Sequence, residues 1–96
     1  MSDFAVHPAA LAEYETAAEW YSERSVAVAQ RFASEVEPAI DAIHKRPDSY
    51  ARLDETHHFY ILKRFPFFVA YRRKPGLIEI VAIRHGAQDQ DAWKNR

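Results

Sequence analysis

Arg64, Arg72 and Arg84, with Lys63, Arg73 and His85, form the densest cationic set in the chain, and all fall in or beside stretches with strand periodicity. If three such strands are neighbours, the set converges on one patch. Guanidinium groups pair with phosphate or carboxylate through a planar fork, so the patch suits nucleic acid or an acidic protein surface. Arg64, Arg72, Arg84 and Lys63 are therefore the candidate contact residues. The plainer alternative is that Arg73 and Lys74 solubilise a turn while Lys63 and Arg64 guard a sheet edge. His85 is the candidate proton carrier, since an unperturbed imidazole titrates near ~6.5; an ordinary strand-end histidine is the competing reading. His57 and His58 are adjacent and point to opposite faces of a strand, so no metal site is expected from them. The glutamates of the N-terminal half read as a solvated helix face rather than paired catalytic acids.

Charge is unevenly distributed. Residues 1–50 hold nine acids and four bases, residues 51–96 five acids and nine bases, so a net charge of −1 divides into −5 and +4. Any surface that seeks a polyanion must come from the second half. Ninety-six residues suffice for one small domain, and two tryptophans, five tyrosines and six phenylalanines provide bulk for its core without staples. With no cysteine there is neither a disulfide framework nor a thiolate metal site, which fits a reducing compartment. The N-terminus has an early acid, Asp3, and no long apolar run, so neither a signal peptide nor a membrane span is expected; the chain is placed in the cytoplasm, with no cofactor and no metal.

The elements that must position these residues follow from periodicity. Phe4-Ala5-Val6 reads as a brief strand, and Pro8 as the first residue of a helix. Leu11, Tyr14, Ala18 and Tyr21 carry an amphipathic stripe. Ser25 is placed to cap a second helix, in which Val28, Phe32, Val36, Ile40 and Ile43 recur at helical spacing until Pro47; a bend is expected at Pro38. Residues 47–56 show no period and read as a connection. From His57 the period becomes two, giving strands at 57–63 and 67–73, then a Pro75-Gly76 turn and a strand at 77–83. The tail beyond Gly86 is polar except for Trp93 and is expected to be partly ordered. There is no internal repeat, low-complexity tract or linker. The fold class is α+β in the order β-α-α-β-β-β, a helical hairpin on a small antiparallel sheet with Phe4–Val6 along an edge, one domain over 1–96.

Some aromatic residues exceed what a core can hide. Trp20 and Tyr21 are consecutive and cannot share a helix face. In Phe65-Pro66-Phe67-Phe68, alternate residues point apart, so one sheet face cannot cover the run. Trp20, Tyr21, Phe65 and Phe68 are accordingly candidates for a docking surface, set against the reading that they are core alone.

The string HPAALAEYETAAEWY, the RFPF-x-x-x-Y segment from Arg64 to Tyr71, the run Val81–Gly86 and the downstream Trp93 together resemble the RelE/ParE family of toxins from bacterial type II toxin-antitoxin pairs, the ParE-like, plasmid stabilisation branch above all. The resemblance spans nearly the whole chain. It implies a partner antitoxin, docking over part of Trp20, Tyr21, Phe65 and Phe68. It also implies one of two targets: DNA gyrase, inhibited by ParE-like members, or the ribosome, where RelE-like members cut mRNA. The RelE-like nucleases carry an arginine three residues before the tyrosine matching Tyr71, where this chain has Phe68, and no tyrosine follows Tyr71 here. That departure favours a toxin that binds gyrase over a nuclease using Arg64, Arg72, Arg84 and His85. An inactive relic that only binds its antitoxin is the third reading.

Overall fold

The computed structural model describes residues 3–86 and 92–96, so Asp89 and Asp91 of the tail lie outside the described residues. Its elements are β1 (Asp3–Val6), α1 (Pro8–Ser22), α2 (Val26–Lys45), β2 (His57–Ile61), β3 (Phe67–Lys74) and β4 (Leu77–His85). Pro8 opens α1 with His7 as its cap, the His7 Nδ1 accepting from the Ala9 N–H at 3.1 Å. Ser25 caps α2 as expected, its hydroxyl accepting from the Val28 N–H at 3.3 Å. α2 runs through Pro38 as one helix. Ser34 and Pro38 are both exposed, so water can serve the Ser34 carbonyl that the proline leaves without an N–H donor. Among the described residues no helix is long and apolar enough to cross a membrane.

The four strands form one sheet in the order β1-β4-β3-β2, with β1 parallel to β4 and the other pairs antiparallel. β3 and β4 are joined through Pro75-Gly76, and Gly76 takes φ +70°, the left-handed conformation that a glycine reaches without steric cost. A register shift beside Ala70 and Tyr71 leaves Val81 as an extra residue in β4. The shift brings Ile78, Ile80 and Ile83 all into the core cluster beneath the helices.

β1 is short and pairs only with Leu77–Ile80, which leaves the outer edge of β4 from Val81 onward without a strand. Side chains complete it. The Ile83 N–H donates to Glu13 Oε1 at 3.1 Å, and Arg96 Nη1 donates to the Val81 carbonyl at 3.0 Å. Glu13 is itself gripped by Arg84 (Nη1 to Oε2, 2.6 Å) and by both terminal nitrogens of Arg96 (2.8 and 3.0 Å). Partial burial pushes the Glu13 carboxyl up, but the hydrogen bonds from Arg96, Arg84 and the Ile83 N–H outweigh it and hold the pKa below the ordinary carboxylate value.

Both faces of the sheet are covered. Beneath the helices lie Phe32, Val36 and Ile43 of α2 against Val69, Tyr71, Ile78, Ile80 and Ile83. Tyr71 is buried, its hydroxyl donating to the Pro47 carbonyl at 2.6 Å; burial, with the nearby Tyr50 and Asp48, pushes its pKa up to about 12. On the far face Phe68, Ala70, Val81 and Ala82 are closed by Trp93, which is 0% exposed. Residues 87–91 of the tail lie outside the described residues, but Trp93 beyond them closes the second face, because the inward-outward alternation of β3 places Phe68 and Ala70 there and no helix among the described residues covers them.

Two stability measurements follow from this packing. Truncation in Trp93→Ala should cost about 3–5 kcal/mol in urea unfolding, with the full loss in midpoint rather than slope. Glu13→Ala strands two guanidiniums and should cost about 3 kcal/mol. Because the folded pKa of Glu13 is depressed, its contribution is complete above the unfolded carboxylate pKa and is lost as pH falls through the folded value. The acid limb of the stability curve should therefore flatten in Glu13→Gln.

Candidate interaction surface

On α1, Glu13, Ala17 and Trp20 follow one another at helical spacing and face the strandless end of β4. Together with Pro66, Phe67 and His85 they line a groove of about 800 Å³. Its floor is low because the helix presents Ala12, Thr16 and Ala17 there. Trp20 stands at one side, 50% exposed, with the Arg24 guanidinium 3.6 Å from the indole centre and Arg24 Nη1 donating to the Trp20 carbonyl at 2.8 Å. A cation over the ring and a bond to the main chain hold this large apolar group out in solvent.

Tyr21 turns inward, edge-on to Trp20 and to Phe65 and near Phe32 and Phe67, with burial raising its hydroxyl pKa. The two consecutive aromatics thus divide as their adjacency requires, Trp20 outward and Tyr21 half-buried. Phe65 is half-buried against Phe32 and Tyr21. Phe68 departs from the expected surface. It does point away from Phe67, but onto the face sealed by Trp93, and it is buried.

The cations do not gather into one spot. Arg72 pairs with Glu79 through Nε at 2.7 Å and donates from Nη2 to the main-chain oxygen of Arg96 at 2.7 Å, while Arg84 is held by Glu13. The two arginines fall on the same side by alternation, yet Arg84 lies opposite Phe68 and Arg72 four residues further along β3, roughly 13 Å at about 3.3 Å per residue. Each is compensated by a carboxylate, because Glu79 directly faces Arg72 across β3 and β4 and Glu13 reaches Arg84 around the open edge. Arg73 pairs with Asp48, and Lys74 lies 3.6 Å from Glu79. Lys63 and Arg64 remain exposed in the β2–β3 turn, where the Arg64 main-chain N–H donates to Glu35 at 2.8 Å. Among the described residues no carboxylate pairs with either of their side chains.

His85 points to the helix side with its ring edge-on to Phe67, 5.4 Å between centres, and borders the groove with Arg84. It is well separated from Arg72.

The connection before β2 contains an interaction that periodicity does not reveal. Asp54 accepts from the Thr56 and His57 N–H groups at 2.8 and 2.7 Å, and both its oxygens lie 3.1 Å from His57 Nδ1. The Thr56 bond, with those of His57, brings the Asp54 pKa down to about 2 despite some desolvation. His57 is buried edge-on to Trp93 at 5.2 Å, so Asp54 orients the ring against which the tail packs. An aspartate that bonds the main chain two residues on is a turn signal legible in the run Asp54-Glu55-Thr56. His58 instead stacks on Tyr71, 5.2 Å between centres, with its Nδ1 3.1 Å from the Tyr50 carbonyl. Among the described residues no three histidine or carboxylate side chains converge as a metal site.

Comparison with known proteins agrees with this architecture. Residues 4–90 match the family described as the ParE toxin of the type II toxin-antitoxin system, parDE. Toxin ParE2 of Mycobacterium tuberculosis, in the CDC 1551 / Oshkosh and H37Rv strains alike, is 35% identical over 57 residues, 55% of this chain and 54% of the relative, so the chain spans about half the length of the curated relatives it matches. In structure, a chain of the chromosomal ParDE TA system from P. aeruginosa superimposes with a TM-score of 0.65 at 21% identity, covering 88% of this chain and 96% of that one. Two helices on a four-stranded mixed sheet are thus the shared fold, and the extent of the family match shows that this chain belongs to the ParE toxin family of type II toxin-antitoxin systems.

Proposed function

We propose that this ParE-type toxin acts in the cytoplasm by binding and inhibiting DNA gyrase, and that a cognate antitoxin neutralises it by docking in the groove between α1 and β4. The observation that carries the inhibitor reading is the state of the strand arginines. A nuclease of the RelE kind needs cations free to meet a phosphate near a proton carrier. Here Arg72 and Arg84 are committed to Glu79 and Glu13, and Phe68 and Trp93 occupy the far face. The exposed pair Lys63 and Arg64 is then the leading contact with the target, steering its approach to an acidic surface. Trp20 supports the antitoxin reading, because a half-exposed tryptophan beside an apolar groove is the residue type that dominates binding energy at protein interfaces.

Purified toxin should block DNA supercoiling by gyrase and leave mRNA intact in a translating extract. Defined cuts at the ribosomal A site, with supercoiling unaffected, would establish the nuclease reading instead. Exchanging Lys63 and Arg64 together for alanine should relieve growth arrest in a protein whose circular dichroism and melting midpoint are unchanged. For neutralisation, Trp20→Ala should weaken antitoxin binding by about 30-fold, equivalent to about 2 kcal/mol, and leave the toxin active when both proteins are co-expressed. Full neutralisation of Trp20→Ala would place the antitoxin elsewhere.

A further inference from the structure

The outer edge of β2 is covered over only part of its length. Its first half pairs with the preceding connection, the Leu53 N–H donating to the His57 carbonyl at 2.8 Å and the Phe59 N–H to the Ala51 carbonyl at 3.0 Å. Main-chain groups alternate in direction along a strand, so the N–H and C=O of Ile61 point to that same outer side, where no described residue bonds to them. Ile61 lies opposite Phe68 and Phe59 opposite Ala70, which puts both side chains on the far face. Ile61 is 64% exposed and Leu53 39%, and with Phe59 and Phe68 they line a hollow of about 240 Å³. The turn that follows carries Lys63 and Arg64, exposed and without a carboxylate partner among the described residues.

We infer that this edge is the anchoring half of the target contact: a short extended segment of the target exchanges main-chain hydrogen bonds with Ile61, sets an apolar side chain in the hollow and brings a carboxylate to Lys63 and Arg64. This role rests on the target reading above and deepens it, since exposed cations steer an encounter whereas a covered apolar contact holds it. Charge sets the orientation. The acids near the hollow, Asp54 and Glu55, follow Leu53, and Asp54 is engaged by His57, so an incoming carboxylate is favoured at the Lys63 end. A second copy of the chain fits poorly. Setting Ile61 opposite Ile61 brings residue 63 of one copy against Phe59 of the other, where Ala51 already sits. Setting Ile61 opposite residue 63 clears Ala51 but brings the two Lys63-Arg64 turns side by side, like charge against like. An acidic segment that ends short of Ala51 meets neither obstacle.

Hydrogen exchange on the full toxin, free and bound to purified DNA gyrase, tests this without any variant. The Ile61 amide should exchange at least about tenfold more slowly in the complex. In binding kinetics, Ile61→Ser should raise the dissociation rate about tenfold and change association by less than about twofold, whereas exchanging Lys63 and Arg64 for alanine lowers association. Because Ile61 is mostly exposed, its substitution leaves the core intact. An unprotected Ile61 amide in a gyrase complex, or wild-type dissociation of Ile61→Ser, would overturn the anchoring role and leave the target reading standing. Protection of Ile61 by the antitoxin alone, or protection that rises with concentration in the free toxin, would also overturn it, assigning the edge to neutralisation or to self-association. A toxin that neither binds gyrase nor blocks supercoiling overturns the target reading and the anchoring role together.

Discussion

The Glu13 carboxylate is the interaction on which the arrangement of α1, β4 and the tail depends. A four-residue β1 covers only the first half of β4, and an unpaired strand edge is a template for unwanted pairing. Glu13 takes the Ile83 N–H that a longer β1 would have taken, and Arg96 supplies the Val81 carbonyl with a donor. One acid and one guanidinium thus substitute for the missing strand. The same contacts tie three distant parts of the chain together, since Glu13 belongs to α1, Ile83 and Arg84 to β4, and Arg96 to the segment that carries Trp93.

This closure shapes the surface available to partners. With α1 held against the strandless end of β4, its small residues face Phe67 across a groove rather than a packed seam, and Trp20 stands at the rim. The arginines that close the edge are spent on it, which removes Arg84 from the exposed cations as Glu79 removes Arg72. What the fold leaves exposed is therefore divided: an aromatic groove on one side of α1, and the Lys63-Arg64 turn at the end of β2. Two separate surfaces fit the two partners proposed above, a target to inhibit and an antitoxin that restrains the toxin.

Much of this was legible in the residues. Pro8, Ser25 and Pro75-Gly76 mark helix starts and a turn through local chemistry that tertiary structure does not override, and each does its expected work. The period-two run from Phe67 implied a strand, and the adjacency of Trp20 and Tyr21 implied one exposed aromatic. Pairing across the fold was not legible. Nothing local says that Arg84 meets an acid 71 positions earlier, or that Arg72 finds Glu79 once the hairpin closes. Strand proximity fixes the side of the sheet on which the arginines lie but not their counter-ions. Trp93 was hidden for a related reason: a lone apolar residue in a polar tail has no period, and only the uncovered Phe68 and Ala70 create its site.

Hydrogen exchange at the Ile83 amide tests the closure of β4 most directly. If Glu13 serves as the missing strand, this N–H exchanges as slowly as the paired amides at the centre of β3, and Glu13→Gln accelerates it selectively. Exchange of Ile83 in the unaltered chain at the rate of an open, solvated edge would contradict the account.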